Sequence, residues 1–521
     1  MVITSPFPAL DIPDVPLTDY VFEHVERHTD HPALIDGATG AVTTHAELRD
    51  RVRATAAGLA QRGIGKGDVV GIYSPNVPDY AAAFLGVAQA GAINTTANAL
   101  YGVDELTFQL RDCEARMLIT HPALADRALA AARAVGITDV VSFGEMDGAL
   151  PFASLLADGQ PPAVGIDPAT DTVSLPYSSG TTGLPKGVRL THTNLVANVC
   201  QLEGILEMGP DDIVMGILPF FHIYGQTVVM AAALRAGAGI VTMARFDLEQ
   251  FLALIQEHRA TRAFVAPPIV LAFAKHPLID KYDTSSLRHV MSGAAPLDGE
   301  IAAQGAARIG CPITQGYGMT EASPVITCVS SFGLDRPGSV GPLVANTEGR
   351  IVDPETGQDV ATGQVGELWA RGPQVMPGYL GNDQATAATI VEGGWLRTGD
   401  IATADADGWI TIADRLKELI KVRGYQVAPA ELEALLLTHP AVTDACVIPV
   451  RDDEAGERPK AFVVLRDPVE SDAIIAWMRE RSAPHKRLVA VEIVDEIPKS
   501  ASGKILRRVL VERERARVVA E

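Results

Sequence analysis

The sequence has few cysteines, no long uninterrupted apolar run and little positive charge. Its five cysteines are scattered, odd in number and without a Cys-x-x-Cys pair, so neither a disulfide framework nor a zinc site is expected. Most of the thiols should be buried as small apolar groups, and a cytoplasmic protein is predicted. The longest apolar stretch, residues 227–244, is interrupted by Arg235, Gly237 and Gly239, which favours a helix followed by a buried strand over a membrane span.

The charge balance argues against nucleic acid as the main ligand. Lys and Arg number 43 against 64 Asp and Glu, for a formal net charge of -21, whereas binding to a phosphate backbone needs clustered cations. A local basic site can still hold a nucleotide. The length of 521 residues favours several domains over one core.

Strand-like and helix-like segments alternate along most of the chain. Val69–Tyr73 reads as a buried strand and Asp79–Ala90 as a helix that Gly91 ends, a pattern typical of stacked α/β layers with mostly parallel sheets. Further strands are predicted at Ile240–Met243, Ala263–Ala266 and His289–Met291, and a helix capped by Asp247. The pattern of segments changes after Trp409, which predicts a large domain over residues 1–414 and a small α+β domain over residues 415–521.

The strongest local signal is a loop rich in Ser, Thr and Gly after a predicted strand. Small residues let backbone N–H groups approach an anion, hydroxyl groups donate hydrogen bonds to phosphate oxygens, and a lysine supplies positive charge. It is not a Walker A loop, because Gly187 follows Lys186 where Ser or Thr is needed. The candidate phosphate-binding residues are Ser178, Ser179, Gly180, Thr181, Thr182, Gly183 and Lys186.

This loop resembles the phosphate-binding loop of the adenylate-forming superfamily, which comprises acyl-CoA synthetases, firefly-type luciferases and adenylation domains. Four further motifs of that superfamily follow in the same order. They are Gln315-Gly316-Tyr317-Gly318-Met319-Thr320-Glu321, Thr398-Gly399-Asp400, the segment 414–427 beginning Asp414-Arg415-Leu416-Lys417, and the segment 498–504 ending in Gly503-Lys504. The resemblance covers essentially the whole chain, and it implies an ATP-dependent acid–CoA ligase that forms an acyl adenylate.

The resemblance also implies roles in the first half-reaction. Lys504 would hold the acid carboxylate and the α-phosphate, and the Ser/Thr/Gly loop would hold the other phosphates of ATP. Glu321 would ligate Mg²⁺, which prefers oxygen ligands. Asp400 and Arg415 would hold the ribose. Gln315, Gly316, Tyr317 and Thr320 belong to the adenine and metal motif, where Tyr317 could stack on the base.

For the second half-reaction, the superfamily rotates its small C-terminal domain so that coenzyme A can attack the adenylate. Lys417 would be the hinge, and Lys421, Gly424 and Gln426 would replace Lys504 at the site. His222 matches a position near the acid pocket, although a satisfied, partly buried histidine explains it equally well.

The acid pocket resembles most that of the 4-coumarate–CoA ligases, which predicts 4-coumarate or a related aromatic acid as substrate. The matching pocket residues are Tyr224, Gly293, Ala294, Gly316, Pro324 and Val325. Thr227 and Met291 depart from the plant pattern of Asn and Lys, so a medium-chain fatty acid stays open as an alternative. A carrier protein in place of coenzyme A, a luciferase-like oxidase and a non-catalytic nucleotide-binding regulator are further alternatives. The sequence leaves open whether the protein is a monomer or a homodimer.

Overall fold

Strands and helices alternate through most of the chain, in a computed structural model that describes residues 2–161, 163–178, 185–331, 336–423, 425–452, 455–501 and 503–520. The helices, α1 to α14 in chain order, are Leu17–Phe22, His45–Gln61, Pro78–Gln89, Val103–Asp112, Ala125–Val135, His192–Leu206, Ala232–Arg235, Leu248–His258, Pro267–Lys275, Gly299–Ile309, Asp383–Thr389, Pro429–Thr438, Ser471–Arg481 and Arg507–Ala520. A π-helix spans Tyr224–Ala231, and short 3₁₀ helices span Val25–Arg27, Pro122–Leu124, Phe152–Leu155, Pro277–Lys281, Thr320–Ala322 and Pro484–Lys486.

The strands, β1 to β28 in chain order, are Ile3–Thr4, Pro32–Asp36, Val42–Thr44, Val69–Tyr73, Ile93–Ala97, Met117–Thr120, Asp139–Ser142, Leu150–Pro151, Thr172–Ser174, Tyr177–Ser178, Lys186–Thr191, Ile213–Gly216, Gly239–Thr242, Arg262–Val265, His289–Ser292, Ile313–Gly318, Val325–Cys328, Glu348–Val352, Gly366–Arg371, Gly378–Tyr379, Ile390–Val391, Trp395–Ala404, Ile410–Arg415, Ile420–Val422, Tyr425–Val427, Val442–Asp452, Gly456–Leu465 and Ala490–Ile493.

Two largely parallel sheets form the centre of the large N-terminal domain. One has the order β10-β11-β9-β5-β4-β6-β7-β8, with β20 on β11, and the other has the order β17-β16-β15-β14-β12-β13-β2-β3. The largest hydrophobic cluster contains buried residues of both sheets and of helices α2, α3 and α6. These helices therefore belong to a core that both sheets share, which is the layered α/β architecture that the alternating pattern predicts.

A third, antiparallel sheet and a separate small sheet complete the fold. The third sheet has the order β1-β18-β19-β22-β21, with β23 on β22. The five-stranded sheet of the small C-terminal domain has the order β25-β24-β27-β26, with β28 on β27, and it packs with helices α12 and α13 around its own core. The chain passes from β23 to this sheet between Arg415 and Ile420.

Several predicted elements are confirmed, with small shifts at their ends. The strand Val69–Tyr73 has the predicted bounds, and its following helix is Pro78–Gln89, one residue earlier at both ends than predicted. The Asp247 side chain accepts a hydrogen bond from the Gln250 backbone N–H and so caps α8 as predicted. The apolar stretch near residue 227 is a helix followed by a buried strand, but the helix begins at Tyr224 and is of the π type.

The cysteines and the long apolar segments also fit their predicted roles. All five thiols are free, and each except the half-buried Cys200 is buried. Among the helices of the described ranges, none combines the length and the apolar character that a membrane crossing requires.

Candidate active site

The candidate active site lies at the carboxyl ends of parallel strands in the second sheet. Strands β14, β15 and β16 run parallel in consecutive register, so the segments that follow them emerge at one edge. Gly293 follows β15, Glu321 follows β16, and His222 lies six residues beyond β12. Ligands of parallel α/β sheets bind at this edge, and the predicted acid-pocket and metal residues meet there.

A tyrosine, an aspartate and an arginine form one polar cluster at this edge. The Tyr317 hydroxyl donates a 2.5 Å hydrogen bond to Asp400 Oδ2, and Arg415 Nε lies 3.4 Å from Asp400 Oδ1. Asp400 and Arg415 are directly paired across strands β22 and β23, which explains why two motifs 15 residues apart form one site. Burial raises the pKa of Asp400, although Arg415 and the Tyr317 hydroxyl oppose this effect.

A second cluster surrounds the Glu321 carboxylate. Its Oε1 accepts hydrogen bonds from the Tyr379 hydroxyl at 2.8 Å and from Ser178 Oγ at 3.0 Å. Lys186 Nζ lies 4.3 Å from the centre of the Tyr379 ring, a cation–π contact. Sequence reasoning did not find Tyr379, because a Gly-Tyr pair carries no motif. Pairing of β20 with β11 brings it to the site, and Val188 lies opposite Tyr379.

The ends of the Ser/Thr/Gly loop meet at this cluster. Ser178 lies directly opposite Lys186 in the antiparallel pair of β10 and β11, so both ends of the loop start beside Glu321. The predicted residues Ser179, Gly180, Thr181, Thr182 and Gly183 lie outside the described residues. Their contact with phosphate therefore stays a prediction.

The residues around Glu321 fit a hydrated Mg²⁺. Both hydrogen bonds that its side chain accepts from described residues use Oε1, so Oε2 can serve as a ligand to a cation. Over the described parts of the chain, no group of three or more His, Cys, Asp or Glu side chains is arranged to hold a metal. One carboxylate completed by water and substrate phosphates is the usual way in which proteins bind this ion.

Lys504 lies within electrostatic range of Arg415, Asp400 and Glu321. Burial, followed by the positive charge of Arg415, lowers its pKa to about 8, while Asp400, Glu418 and Glu321 act in the opposite direction. Glu418 is held by Arg507, whose Nε lies 2.9 Å from Glu418 Oε2. Lys504 of the small domain therefore lies near Asp400 and Glu321 of the large domain.

His222 contacts Tyr224 of the candidate acid pocket and lies within electrostatic range of Lys504. Its Nδ1 accepts a hydrogen bond of 3.2 Å from the Tyr224 backbone N–H, so Nε2 carries the proton of the neutral ring. Burial and the charge of Lys504 lower the pKa of His222 to about 4. The ring is therefore neutral near pH 7 and presents an N–H donor rather than a second cation.

The wall of the candidate acid pocket depends on two glycines. A Cβ atom at Gly293 would lie 2.9 Å from Tyr224 Cε1, and one at Gly316 would lie 2.3 Å from the Met291 methyl carbon. Distances below about 3.0 Å force a neighbour to move. The Tyr224 hydroxyl donates a 3.4 Å hydrogen bond to the Met291 carbonyl oxygen. Tyr224 and Met291 therefore pack against positions that must stay free of side chains.

The remaining predicted residues of the large domain differ in exposure. Gln315 and Val325 are buried in β16 and β17, and Thr320 begins the 3₁₀ helix that carries Glu321. Pro324 precedes β17, and its carbonyl oxygen accepts the Met319 backbone N–H at 2.9 Å. Ala294 is exposed and has a left-handed backbone with φ +71°, so its side chain does not belong to the buried part of the pocket.

Two of the predicted thiol-transfer residues lie on strands β24 and β25, whereas Lys504 lies in the segment before α14. Lys421 and Gln426 are exposed and face each other across strands β24 and β25. Among the contacts of the described residues, none joins either side chain to the cluster around Lys504. Lys417 is exposed between β23 and β24, and Gly424 lies outside the described residues.

Comparison with known proteins shows the family to which this chain belongs. The family model described as AMP-binding enzyme matches residues 21–380, and the AMP-binding enzyme C-terminal domain matches residues 431–504. A 4-coumarate–CoA ligase of Oryza sativa subsp. japonica is 44% identical, with 97% of this chain and 96% of the relative covered.

Solved structures of similar proteins share the whole fold. The ATP-bound MatB of Rhodopseudomonas palustris has a TM-score of 0.88 and 29% identity, with 96% of this chain and 99% of the other covered. A benzoate CoA ligase of Burkholderia xenovorans has a TM-score of 0.86 and 28% identity, with 95% and 99% covered. The chain thus belongs to the AMP-binding, adenylate-forming enzyme family and is an AMP-forming acid–CoA ligase.

Proposed function

We propose that this enzyme activates 4-coumarate or a closely related aromatic acid with ATP and Mg²⁺, and transfers the acyl group to coenzyme A. The observation that carries the proposal is the position of Lys504 beside Asp400, Glu321 and His222. Asp400 and Glu321 suit a nucleotide and its metal. His222 contacts Tyr224 of the candidate acid pocket. The 44% identity to the rice 4-coumarate–CoA ligase supports the choice of acid.

In the first half-reaction, a carboxylate oxygen of the acid attacks the α-phosphorus of ATP, and the bond to pyrophosphate breaks. Negative charge develops on phosphate oxygens, so cations aimed at them lower the barrier. The Lys504 ammonium group holds the carboxylate against the α-phosphate, and Lys186 holds the leaving phosphates. Mg²⁺ bound at Glu321 supplies further charge neutralisation. Asp400 accepts hydrogen bonds from the ribose hydroxyl groups, and Arg415 orients that carboxylate.

In the second half-reaction, the thiolate of coenzyme A attacks the acyl carbonyl carbon, and AMP leaves as the C–O bond breaks. We place the boundary of the small domain between residues 414 and 415 and its hinge at Lys417. Rotation there removes Lys504 from the site and brings in the strand that carries Lys421 and Gln426. The exposure of both side chains supports this role, because neither is committed to the present interface.

The pocket geometry supports a flat acid. A side chain at Gly293 would press against the Tyr224 ring, and the Met291 methyl group lies where a side chain at Gly316 would be. An aromatic ring can stack or pack edge-to-face against Tyr224. Because Met291 and Thr227 differ from the plant pattern, the groups that contact the far end of the acid are less polar here. We therefore expect cinnamate to be used alongside 4-coumarate.

AMP release in the presence of ATP and Mg²⁺, with and without coenzyme A, tests the proposal directly. The acids to compare are 4-coumarate, cinnamate, benzoate, octanoate and acetate. The proposal predicts highest kcat/KM for one of the two cinnamate-type acids and multiple turnover only with coenzyme A. A preference for octanoate contradicts the aromatic assignment and leaves the reaction class intact. Turnover that needs a carrier protein contradicts the coenzyme A assignment.

A further inference from the structure

Helix α12 of the small domain is held at both ends by side chains of the large domain. At its N-terminus, Asp414 Oδ2 accepts a 2.8 Å hydrogen bond from the Ala430 backbone N–H. At its C-terminus, Lys275 Nζ donates a 2.7 Å hydrogen bond to the Leu437 carbonyl oxygen. An anion at the N-terminus and a cation at the C-terminus both match the helix dipole, so each contact is electrostatically favourable.

Helix α9 of the large domain provides the surface for this contact. Lys275 is its last residue, and at its other end the loop of Lys504 packs closely. A Cβ atom at Gly503 would lie 2.7 Å from the Cβ of Ala266, the residue that precedes α9. The Leu437 side chain packs against the core of the large domain as well as that of its own domain. Both ends of α9 therefore contact the small domain in the arrangement that places Lys504 at the candidate site.

We propose that Lys275 and Asp414 are positioning residues, which hold helix α12 so that Lys504 stays in the adenylate-forming site. The inference rests on the proposed function, because it assumes that the small domain rotates at Lys417 between the half-reactions. Lys275 and Asp414 precede that hinge, whereas Ala430 and Leu437 follow it. Rotation must therefore break both hydrogen bonds, and their strength sets how much of the enzyme is arranged for adenylation.

Polar and charged side chains of both domains surround Lys275. A crevice of about 320 Å³ beside it is lined by Glu300 and Gln304 of α10 and by Arg466 of the small domain. Burial and the charge of Arg466 lower the pKa of Lys275, and Glu300 raises it. Loss of the ammonium group leaves a helix carbonyl without its donor in a partly buried place.

The test separates the two half-reactions in Lys275→Met, which keeps the aliphatic stem, and in Lys275→Arg, which keeps a cationic donor. Lys275→Met is expected to reduce acid-dependent ATP–pyrophosphate exchange by about tenfold, the value of one charge-assisted hydrogen bond. Thioester formation from supplied acyl adenylate should stay equal or rise, and Lys275→Arg should restore most of the exchange. Asp414→Ala is expected to change the exchange in the same direction. Lys281→Ala, an exposed lysine just beyond α9, serves as the control.

Hydrogen–deuterium exchange of the ligand-free protein gives a readout that needs no turnover. Amides of residues 429–438 are expected to exchange faster in Lys275→Met than in the wild type and in Lys281→Ala. Equal losses in both half-reactions, or no change in either half-reaction and in amide exchange, would overturn the proposal. If the wild type activates no acid while the amides respond as expected, the proposed function fails. The role of Lys275 in holding helix α12 then stands.

Discussion

Alkaline pH is expected to slow the first half-reaction by removing the charge of Lys504. Its pKa is lowered to about 8, below the ordinary lysine value of 10.5, and the proposed mechanism needs the protonated form. The charged fraction then falls from about 0.9 at about pH 7 to about 0.1 at about pH 9. We therefore predict an approximately tenfold loss of kcat/KM for adenylation over this interval.

The assay is ATP–pyrophosphate exchange without coenzyme A, at concentrations of ATP and acid that are both below KM, where the rate reports groups of the free enzyme. Glu418 is one of the charges that raise the pKa of Lys504, so Glu418→Gln should move the fall in activity to lower pH. Lys504→Arg keeps its charge, and any residual activity should not fall over the same interval. A wild-type profile that stays level past about pH 9, or a Glu418→Gln profile that coincides with it, would refute the reasoning.

Four further substitutions test separate parts of the structure. Asp400→Asn removes the charge next to Arg415 and Tyr317 and should weaken ATP binding by about 10–100-fold, since hydrogen bonds to charged groups contribute about 1.5–3 kcal/mol; unchanged affinity by calorimetry contradicts this. Glu321→Gln should raise the Mg²⁺ concentration for half-maximal adenylation by about tenfold, and an unchanged Mg²⁺ titration argues against its role. Gly293→Val forces its side chain against Tyr224 and should lower kcat/KM for aromatic acids by about tenfold or more relative to acetate; equal losses for both acids contradict the pocket. Phe462→Ala empties a fully buried position in the small domain and should destabilise that domain by about 3–5 kcal/mol in chemical denaturation, whereas a change below about 1 kcal/mol would show that the core adapts.

The sequence predicted the residues that carry local motifs and the alternation of elements. Asp400 and Glu321 belong to short motifs that resemble those of the adenylate-forming superfamily, and their roles in binding ribose and metal stay predictions. Strand Val69–Tyr73 was predicted with the bounds that the structure has, since a short apolar run of this kind marks a buried strand clearly.

Sequence patterns did not predict the pairing of segments that are distant in the chain. Tyr379 contacts Glu321 because β20 pairs with β11, which lies almost two hundred residues earlier. The π-helix at Tyr224 was not predicted, since a run of small apolar residues looks the same at α and π spacing. The contact of Lys275 with Leu437 needs two domains to be placed together, and neither residue has a motif. These features are set by tertiary packing rather than by local preference.

Two lysines on one rotating domain are proposed to serve the two half-reactions, and one crossed experiment tests this most directly. Lys504→Ala and Lys421→Ala are each assayed for ATP–pyrophosphate exchange with the preferred acid, and for thioester formation from supplied acyl adenylate and coenzyme A. We predict that Lys504→Ala loses the exchange and keeps thioester formation, and that Lys421→Ala shows the reverse. If either variant loses both activities equally while remaining folded, or keeps both, the division of labour between Lys504 and Lys421 is wrong.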